Sequence, residues 1–294
     1  MRLVADIGGT NARFALAVPE TGELTEVQVL PVSEFADFPA ALGAYLGSGR
    51  EISAAAIAAA GPRDGDAISL TNAPWQIVAE DVSKVLGGAK VRLLNDLEAV
   101  ALAIPHLGAE EAEAIAHCPP PKQASPMIAV NIGTGFGAAV TVPTEGGWIA
   151  LGTEAGHMSL IPATPGEDAL MRNVRTAEDA FSGPGYIRLF DVRMREGGEA
   201  IHPVLDEVVG EQRQLYSRMF GRFVGDLVLA TGAWGGVWFS GGVVSDFHRV
   251  FDQDAFLRAF RRKGPMAARM ERVPVFRIMM DAPAFKTLAG MPIT

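Results

Sequence analysis

Arg2-Leu-Val-Ala-Asp-Ile-Gly-Gly-Thr-Asn-Ala-Arg-Phe-Ala-Leu-Ala-Val18 is the stretch whose reading decides the fold. Residues 2–7 make a short apolar strand carrying one acid, Asp6, and residues 13–18 resume as a second strand. Gly8 to Ala12 join them, which predicts a hairpin around a glycine-threonine turn. The pattern returns far along the chain. Val4-Ala-Asp-Ile-Gly-Gly-Thr10 aligns with Ala129-Val-Asn-Ile-Gly-Thr-Gly135, with strands expected at Met127–Val130 and Ala138–Val142. Apolar strand, polar residue, Ile, glycine-threonine turn and outgoing strand occur twice in the same order. This predicts two similar α/β lobes, each opening with a loop of phosphate size.

The segments around these hairpins fill in the lobes. Gln28 to Pro31 reads as a third strand, and Phe35, Phe38, Leu42 and Leu46 are spaced for a helix over 35–46. Ile52 to Ala60 is a small-residue strand ending at the turn signal Gly61-Pro62. Val82–Leu86 reads as helix, Val91–Leu94 as strand and Asp96–Ile104 as helix. Cys118 to Pro126 holds four prolines and reads as a loop or linker. Beyond the second hairpin the chain is expected to be mostly helical from Pro184 to Ala230, with one more strand at Gly236–Ser240. Residues 1–106 are expected as a small α/β lobe and 107–294 as a large one, with the C-terminal segment free to return to the small lobe.

Composition narrows the function classes. The chain has 294 residues, 49% hydrophobic and 20% charged, which fits folded rather than disordered sequence. Lys plus Arg number 25 against 34 acids, a net charge of −9. A nucleic-acid or anionic-membrane partner calls for a basic footprint, so neither is expected; a small anion in a locally positive pocket still fits. One cysteine, Cys118, excludes a disulfide and a thiolate zinc cluster within the chain and fits a reducing, cytoplasmic compartment. In His117-Cys-Pro-Pro-Pro121 it reads as a loop residue rather than a nucleophile. Met1-Arg2 leads directly into strand sequence with Asp6 inside it, so a signal peptide is not expected. The uncharged runs Gln123–Thr144 and Leu227–Ser245 approach membrane-span length, but their glycines divide them into short buried elements. His106, His202 and His248 have no evident partners and read as surface residues.

Several short motifs carry chemistry. Asp6 is delivered into Gly8-Gly9-Thr10, where glycine lets backbone N–H groups approach an anion, the Thr hydroxyl adds a donor, and the Asp can hold a metal-bound water. The same string also fits an ordinary turn capped by Asp. The second glycine-threonine loop adds weight, because two loops facing each other can grip the phosphates of one nucleotide. Gly241 and Gly242 follow the strand Gly236–Ser240 and can admit an adenine or ribose, or form a plain βα turn. Asn95-Asp96 lies at a strand-to-helix junction, where α/β proteins place ligands; Asp is also a good helix cap. Glu154-Ala-Gly-His157 sets an acid and an imidazole beside a glycine, and Glu178 opens a helical stretch; both fit solvated surface as well.

Taken in order, these segments resemble the bacterial glucokinase family of the actin-like, hexokinase-type ATPases. The residues that carry the resemblance are Asp6-Ile-Gly-Gly-Thr-Asn-Ala-Arg13, Thr71-Asn72 with Trp75, Asn95-Asp96, Gly133-Thr-Gly-Phe-Gly137, Glu154-Ala-Gly-His157, Glu178 with Ser182-Gly-Pro-Gly185, and Gly221-Arg-Phe-Val-Gly225 with Gly235-Gly-Val237 and Gly241-Gly-Val243. The resemblance implies an α/β, two-lobed actin-like (ribonuclease H-like) fold with a cleft between lobes, a homodimer, and ATP-dependent phosphorylation of glucose or a close hexose at the 6-hydroxyl. It implies Asp96 as catalytic base, and Asn95, Glu154, His157 and Glu178 as ligands of the other hydroxyls. Asp6, Gly8, Gly9, Thr10, Asn11, Gly133, Thr134, Gly241 and Gly242 would surround ATP and Mg²⁺, with Asp6 reaching the metal through water. Phosphoryl transfer needs positioning and a carboxylate to orient the acceptor, which suits this set.

The chain also departs from the family pattern. The related repressor/kinase group carries a cysteine-rich zinc motif near its sugar site, which one cysteine rules out here. Ala284-Phe-Lys-Thr-Leu-Ala-Gly-Met-Pro-Ile-Thr294 has its glycines displaced, and the returning last helix is expected to be mostly missing. The stretch between His157 and Glu178 is short for the family. The altered C-terminus favours a second reading, a non-catalytic sugar sensor on the same fold. A third, a dinucleotide-dependent oxidoreductase, rests on Gly133-x-Gly135-x-Gly137, which lacks the G-x-G-x-x-G spacing.

Overall fold

The computed structural model describes residues 1–18, 20–47, 50–116, 118–119, 123–190, 210–245 and 247–293. Two compact units emerge, Met1–His106 with Asp281–Thr294, and Leu107–Met280.

The first unit begins with β1 (Arg2–Ile7), β2 (Asn11–Ala17), β3 (Leu24–Pro31) and helix α1 (Phe38–Leu46). Asp37 caps α1 by accepting from Ala40 N at 2.8 Å. β4 (Ala54–Ala59) follows, then a small antiparallel sheet of β5 (Arg63–Asp64), β6 (Ala67–Ser69) and β7 (Gln76–Val78). Helix α2 (Ala79–Val85), β8 (Lys90–Asn95) and helix α3 (Asp96–Ala103) complete this stretch. The main sheet runs β3-β2-β1-β4-β8, antiparallel across the hairpins and parallel from β1 through β4 to β8. β1 and β4 are covered on both faces, so Leu3–Ala5 and Ala55–Ala59 are consecutive buried apolar residues and not alternating ones. That burial overrides the helix preference of the alanines in β4. Phe14, Phe38, Tyr45 and Trp75 form an aromatic cluster on one face, with the Phe14 and Tyr45 rings stacked at 5.0 Å.

The second unit contains β9 (Ala112–Ala116), β10 (Met127–Ile132), β11 (Phe136–Thr144), β12 (Gly147–Thr153) and helices α4 (Pro165–Leu170), α5 (Ala177–Phe181) and α6 (Gly183–Phe190). Then come α7 (Glu211–Thr231), β13 (Gly236–Ser240), α8 (Phe247–Val250), α9 (Gln253–Arg261), α10 (Ala267–Met270) and β14 (Val275–Ile278). Its sheet runs β12-β11-β10-β13-β14-β9. The first five strands repeat the order and directions of the first unit: a three-strand antiparallel meander, then two parallel partners. The echo between the two hairpin sequences is therefore an echo in topology. Phe181, Tyr216, Phe220, Phe239 and Phe256 fill the core where α7 packs on the sheet and on α9.

Two expectations need correction. β9 (Ala-Glu-Ala-Ile-Ala), β12 and β14 were not expected; β14, Val275–Ile278, is only four residues long, and β12 lies at a sheet edge. The last helix is present: α11 (Ala284–Gly290) belongs to the first unit, packs on α3 and β1, and buries Ala284, Phe285, Leu288 and Ala289. Thr287 Oγ1 donates to Ala99 O at 2.7 Å, and Arg2 donates to Ala289 O at 2.5 Å. Phe285 and Leu288, with the small Ala284 and Ala289, supply the buried contacts of this helix.

The helical stretch expected from Pro184 to Ala230 resolves into α6 and α7; residues 191–209 between them, His202 included, lie outside the described residues, as do His117 and Pro120–Lys122. His106 and His248 are exposed, as expected. Cys118 is buried, with its thiol against Glu271 O at 3.2 Å. Among the described residues, no helix is long and apolar enough to cross a membrane.

Candidate active site

In the first unit the chemistry-bearing residues gather at the C-terminal ends of the parallel strands β1, β4 and β8. α/β sheets bind ligands at such ends. Gly8 N donates to Asn11 O at 2.9 Å and closes the turn after β1; Thr10 at its tip is exposed. Asn72 lies against this turn, so near that a Cβ on Gly9 would come within 2.8 Å of Asn72 Cβ. Asp6 faces Arg13 across the hairpin register, with a guanidinium nitrogen 3.8 Å from Oδ2 and the Asp6 side chain 17% exposed. Burial raises the Asp6 carboxyl above its ordinary range, and the Arg13 charge works against that rise.

Asn95 and Asp96 sit where β8 becomes α3. The cap of α3 is Asn95, whose Oδ1 accepts from Leu97 N at 3.0 Å and Glu98 N at 3.3 Å, while Glu98 reaches back to the Asn95 amide. Asn95 Nδ2 donates to Gly61 O at 3.0 Å. The Asn95 amide therefore retains one free N–H for a ligand. Asp96 occupies the first helical position, its Oδ1 accepting from Leu97 N at 2.9 Å. Burial pushes its carboxyl up to about 6, the negative charge of Asp6 adds to the rise, and the Leu97 amide limits it. The capping explanation of Asp96 fails, since its neighbour holds that place.

In the second unit, the turn after β10 mirrors the first. Gly133 N donates to Gly135 O at 3.0 Å, Gly183 N at the start of α6 donates to Gly133 O at 2.8 Å, and Thr134 is exposed. Asn131 occupies the place that Asp6 holds in β1, and its Oδ1 accepts from Ser240 Oγ at 3.1 Å on β13. Glu178, in the first turn of α5, accepts from Phe136 N at 3.0 Å through Oε2, which fixes its carboxylate beside Gly135. Glu154 and His157 bracket a single 3-10 turn; their side chains are 82% and 70% exposed and 3.9 Å apart. That turn packs on β11 through Gly156, where a Cβ would come within 2.2 Å of Phe136 O. Glu154, His157, Glu178, Gly133 and Thr134 thus converge around the β11 start. Gly241 and Gly242 follow β13, exposed, at the head of a 3-10 turn.

The sequence reading left Arg13 and Asn131 out of the site. The signal for both was available: closing a hairpin over Gly8–Ala12 puts Arg13 opposite Asp6, and the repeat makes Asn131 the counterpart of Asp6.

Among the described residues no group of three or more His, Cys, Asp or Glu could cage a metal ion. Asp6 offers a hard oxygen donor without such a cage, the arrangement that suits Mg²⁺ bound mainly through water and substrate phosphates.

A glucokinase family model matches residues 3–291. A glucokinase of Nitrobacter hamburgensis is 34% identical, with 100% of this chain and 97% of that protein covered. One from Paramagnetospirillum magneticum is 33% identical, covering 99% and 97%. The crystal structure of a glucokinase from an Antarctic psychrotroph aligns with a TM-score of 0.79 at 27% identity, over 98% of this chain and 97% of that one. The fold is accordingly that of the two-lobed hexokinase-type sugar kinases, and the chain belongs to the glucokinase family.

Proposed function

We propose that this hexose kinase transfers the γ-phosphoryl group of ATP to the 6-hydroxyl of glucose with Asp96 as the base that receives the hydroxyl proton. The observation that carries the assignment of Asp96 is its place: a largely buried carboxylate at the end of β8, next to Asn95, which holds the cap of α3, and lifted toward neutrality. A base with that affinity for a proton is ionised at neutral pH yet basic enough to take the hydroxyl proton as the oxygen attacks.

Glu154, His157 and Glu178 hydrogen-bond the remaining sugar hydroxyls, and Asn95 contributes its one free N–H. Acceptors and donors placed this way reject an epimer by leaving a partner, once covered by the sugar, without its hydrogen bond. The turns Gly8-Gly9-Thr10-Asn11 and Gly133-Thr134 hold phosphate oxygens through backbone N–H groups and hydroxyls, and Gly241 and Gly242 leave space for the nucleoside. Asp6 holds Mg²⁺ through water, and the ion, when bound, neutralises charge on the phosphates. A cytoplasmic homodimer is the setting this reading adopts.

The non-catalytic alternative drew its support from the C-terminus, and α11 removes that support. A coupled ADP-release assay across glucose, mannose, galactose and N-acetylglucosamine tests the reading. Turnover with glucose is expected, and D96A is expected to abolish it while glucose still binds. A D96A enzyme with full activity would reject the assignment of the base.

A further inference from the structure

The peptide that runs from His157 to Glu178 is fastened in two places. Its near end pairs with the segment entering α5: Leu160 N donates to Arg175 O at 3.0 Å, Ala177 N donates to Met158 O at 2.9 Å, and Ser159 bridges Thr176. The turn bearing Glu154 and His157 and the helix start bearing Glu178 thereby share one short antiparallel frame. The far end is fastened by charge. Glu167, in the first turn of α4, is 1% exposed. Arg222 on α7 grips it with both nitrogens, Nη1 to Oε1 at 3.0 Å and Nη2 to Oε2 at 2.9 Å. Glu167 Oε2 also accepts from Ala163 N at 2.6 Å, and Arg222 Nη2 donates to Ile161 O at 3.0 Å.

Apolar burial does little for this loop. Within residues 158–164, Met158 and Ile161 are 43% and 77% exposed and Leu160 leans on the core, whereas Leu170, Met171 and Val174 pack on it only farther along. A buried ion pair adds little net stability over a well-packed apolar pair, but its fork geometry fixes direction.

We propose that Arg222 and Glu167 are positioning residues that hold the 158–164 loop and so set the spacing of Glu154 and His157 relative to Glu178, which governs glucose affinity and epimer discrimination. The inference rests on the assignment of those three residues to the sugar.

The test is the double variant E167M/R222M, which removes both charges without stranding either, with the single E167Q measured in parallel in case the double fails to fold. Glucose KM is expected to rise roughly tenfold. ATP KM and kcat should stay within about threefold, the preference for glucose over its C2 and C4 epimers should shrink, and the Leu160 and Ala163 amides should exchange faster at an unchanged melting temperature. E178Q provides the second arm. If E178Q raises glucose KM while the clamp variants leave both KM and amide exchange unchanged, the inference is wrong and the sugar assignment stands. If E178Q itself keeps the parent KM, the sugar assignment falls and takes the inference with it.

Discussion

Asn95 and Asp96 are adjacent acceptors at one helix start; Asn95 holds the cap position, and Asp96 accepts from Leu97 N. Asn and Asp rank almost equally as caps, so their order along the chain could not say which would do it. The backbone decides: Asn95 is extended, with φ −64° and ψ 146°, and Asp96 is already helical. Substituting the base should expose what this arrangement is for. D96N is expected to lower kcat by roughly a hundredfold or more with glucose binding retained, measured by single-turnover ADP formation and calorimetry. In the parent, kcat/KM for glucose should fall about tenfold per pH unit below about 6, as Asp96 takes up its proton. The same shift has a stability sign. The folded carboxyl holds its proton more tightly than the unfolded one, so the benefit is complete below about 4 and is lost as pH climbs through about 6. D96N should therefore raise the melting temperature at pH 7.5, by the equivalent of up to about 3 kcal/mol, and hardly change it at pH 4. A D96N protein less stable than its parent at pH 7.5 would contradict this.

Among the elements, the two glycine-threonine turns were legible as turns, and their neighbours' demands on space were not. Gly135 lies in the second of these turns and Gly156 in the 3-10 turn that follows β12. A Cβ on Gly156 meets the Phe136 carbonyl, which the β11 ladder holds in place; one on Gly135 meets Glu178 Oε2 at 2.8 Å, the tip of a side chain that can swing away. G156A is expected to cost about 1–3 kcal/mol in urea unfolding. G135A should leave the unfolding midpoint nearly unchanged and raise glucose KM, because the Glu178 carboxylate must leave the Phe136 amide. Equal losses of stability would show that both turns are merely packed. The strand β12 escaped notice for a related reason: it lies at a sheet edge, and Ile149 and Leu151 are 56% and 62% exposed, so its alternation does not mark a buried face. α11 escaped because its seven residues span only about two turns, too few for a helical periodicity to register.

For the molecule as a whole, the repeated hairpins made half of the architecture readable, since each opens a sheet with the same strand order. The parallel partners β13 and β14 could be paired with β4 and β8 only in three dimensions. Composition marks a break only at the proline-rich stretch from Cys118 to Pro126, and membership of residues 281–294 in the first unit depends on where Thr287 and Phe285 find their partners. Removing residues 281–294 is expected to uncover α3 and β1 and to destabilise the first unit by several kcal/mol, given the buried side chains of α11. Limited proteolysis should then cut within residues 1–106 while Leu107–Met280 resists; a truncated chain as protease-resistant as its parent would count against this.

Because α11 closes a unit that starts at Met1, everything between is synthesised before that unit can be finished. On the ribosome, β1 to α3 must wait, with the alanine-lined floor that α11 will cover still open to water, while the intervening 174-residue-scale segment, Leu107–Met280, emerges and assembles first. The nascent enzyme is thus most vulnerable to chaperone capture and aggregation during the interval set by translation of its middle, and a stall there prolongs the danger.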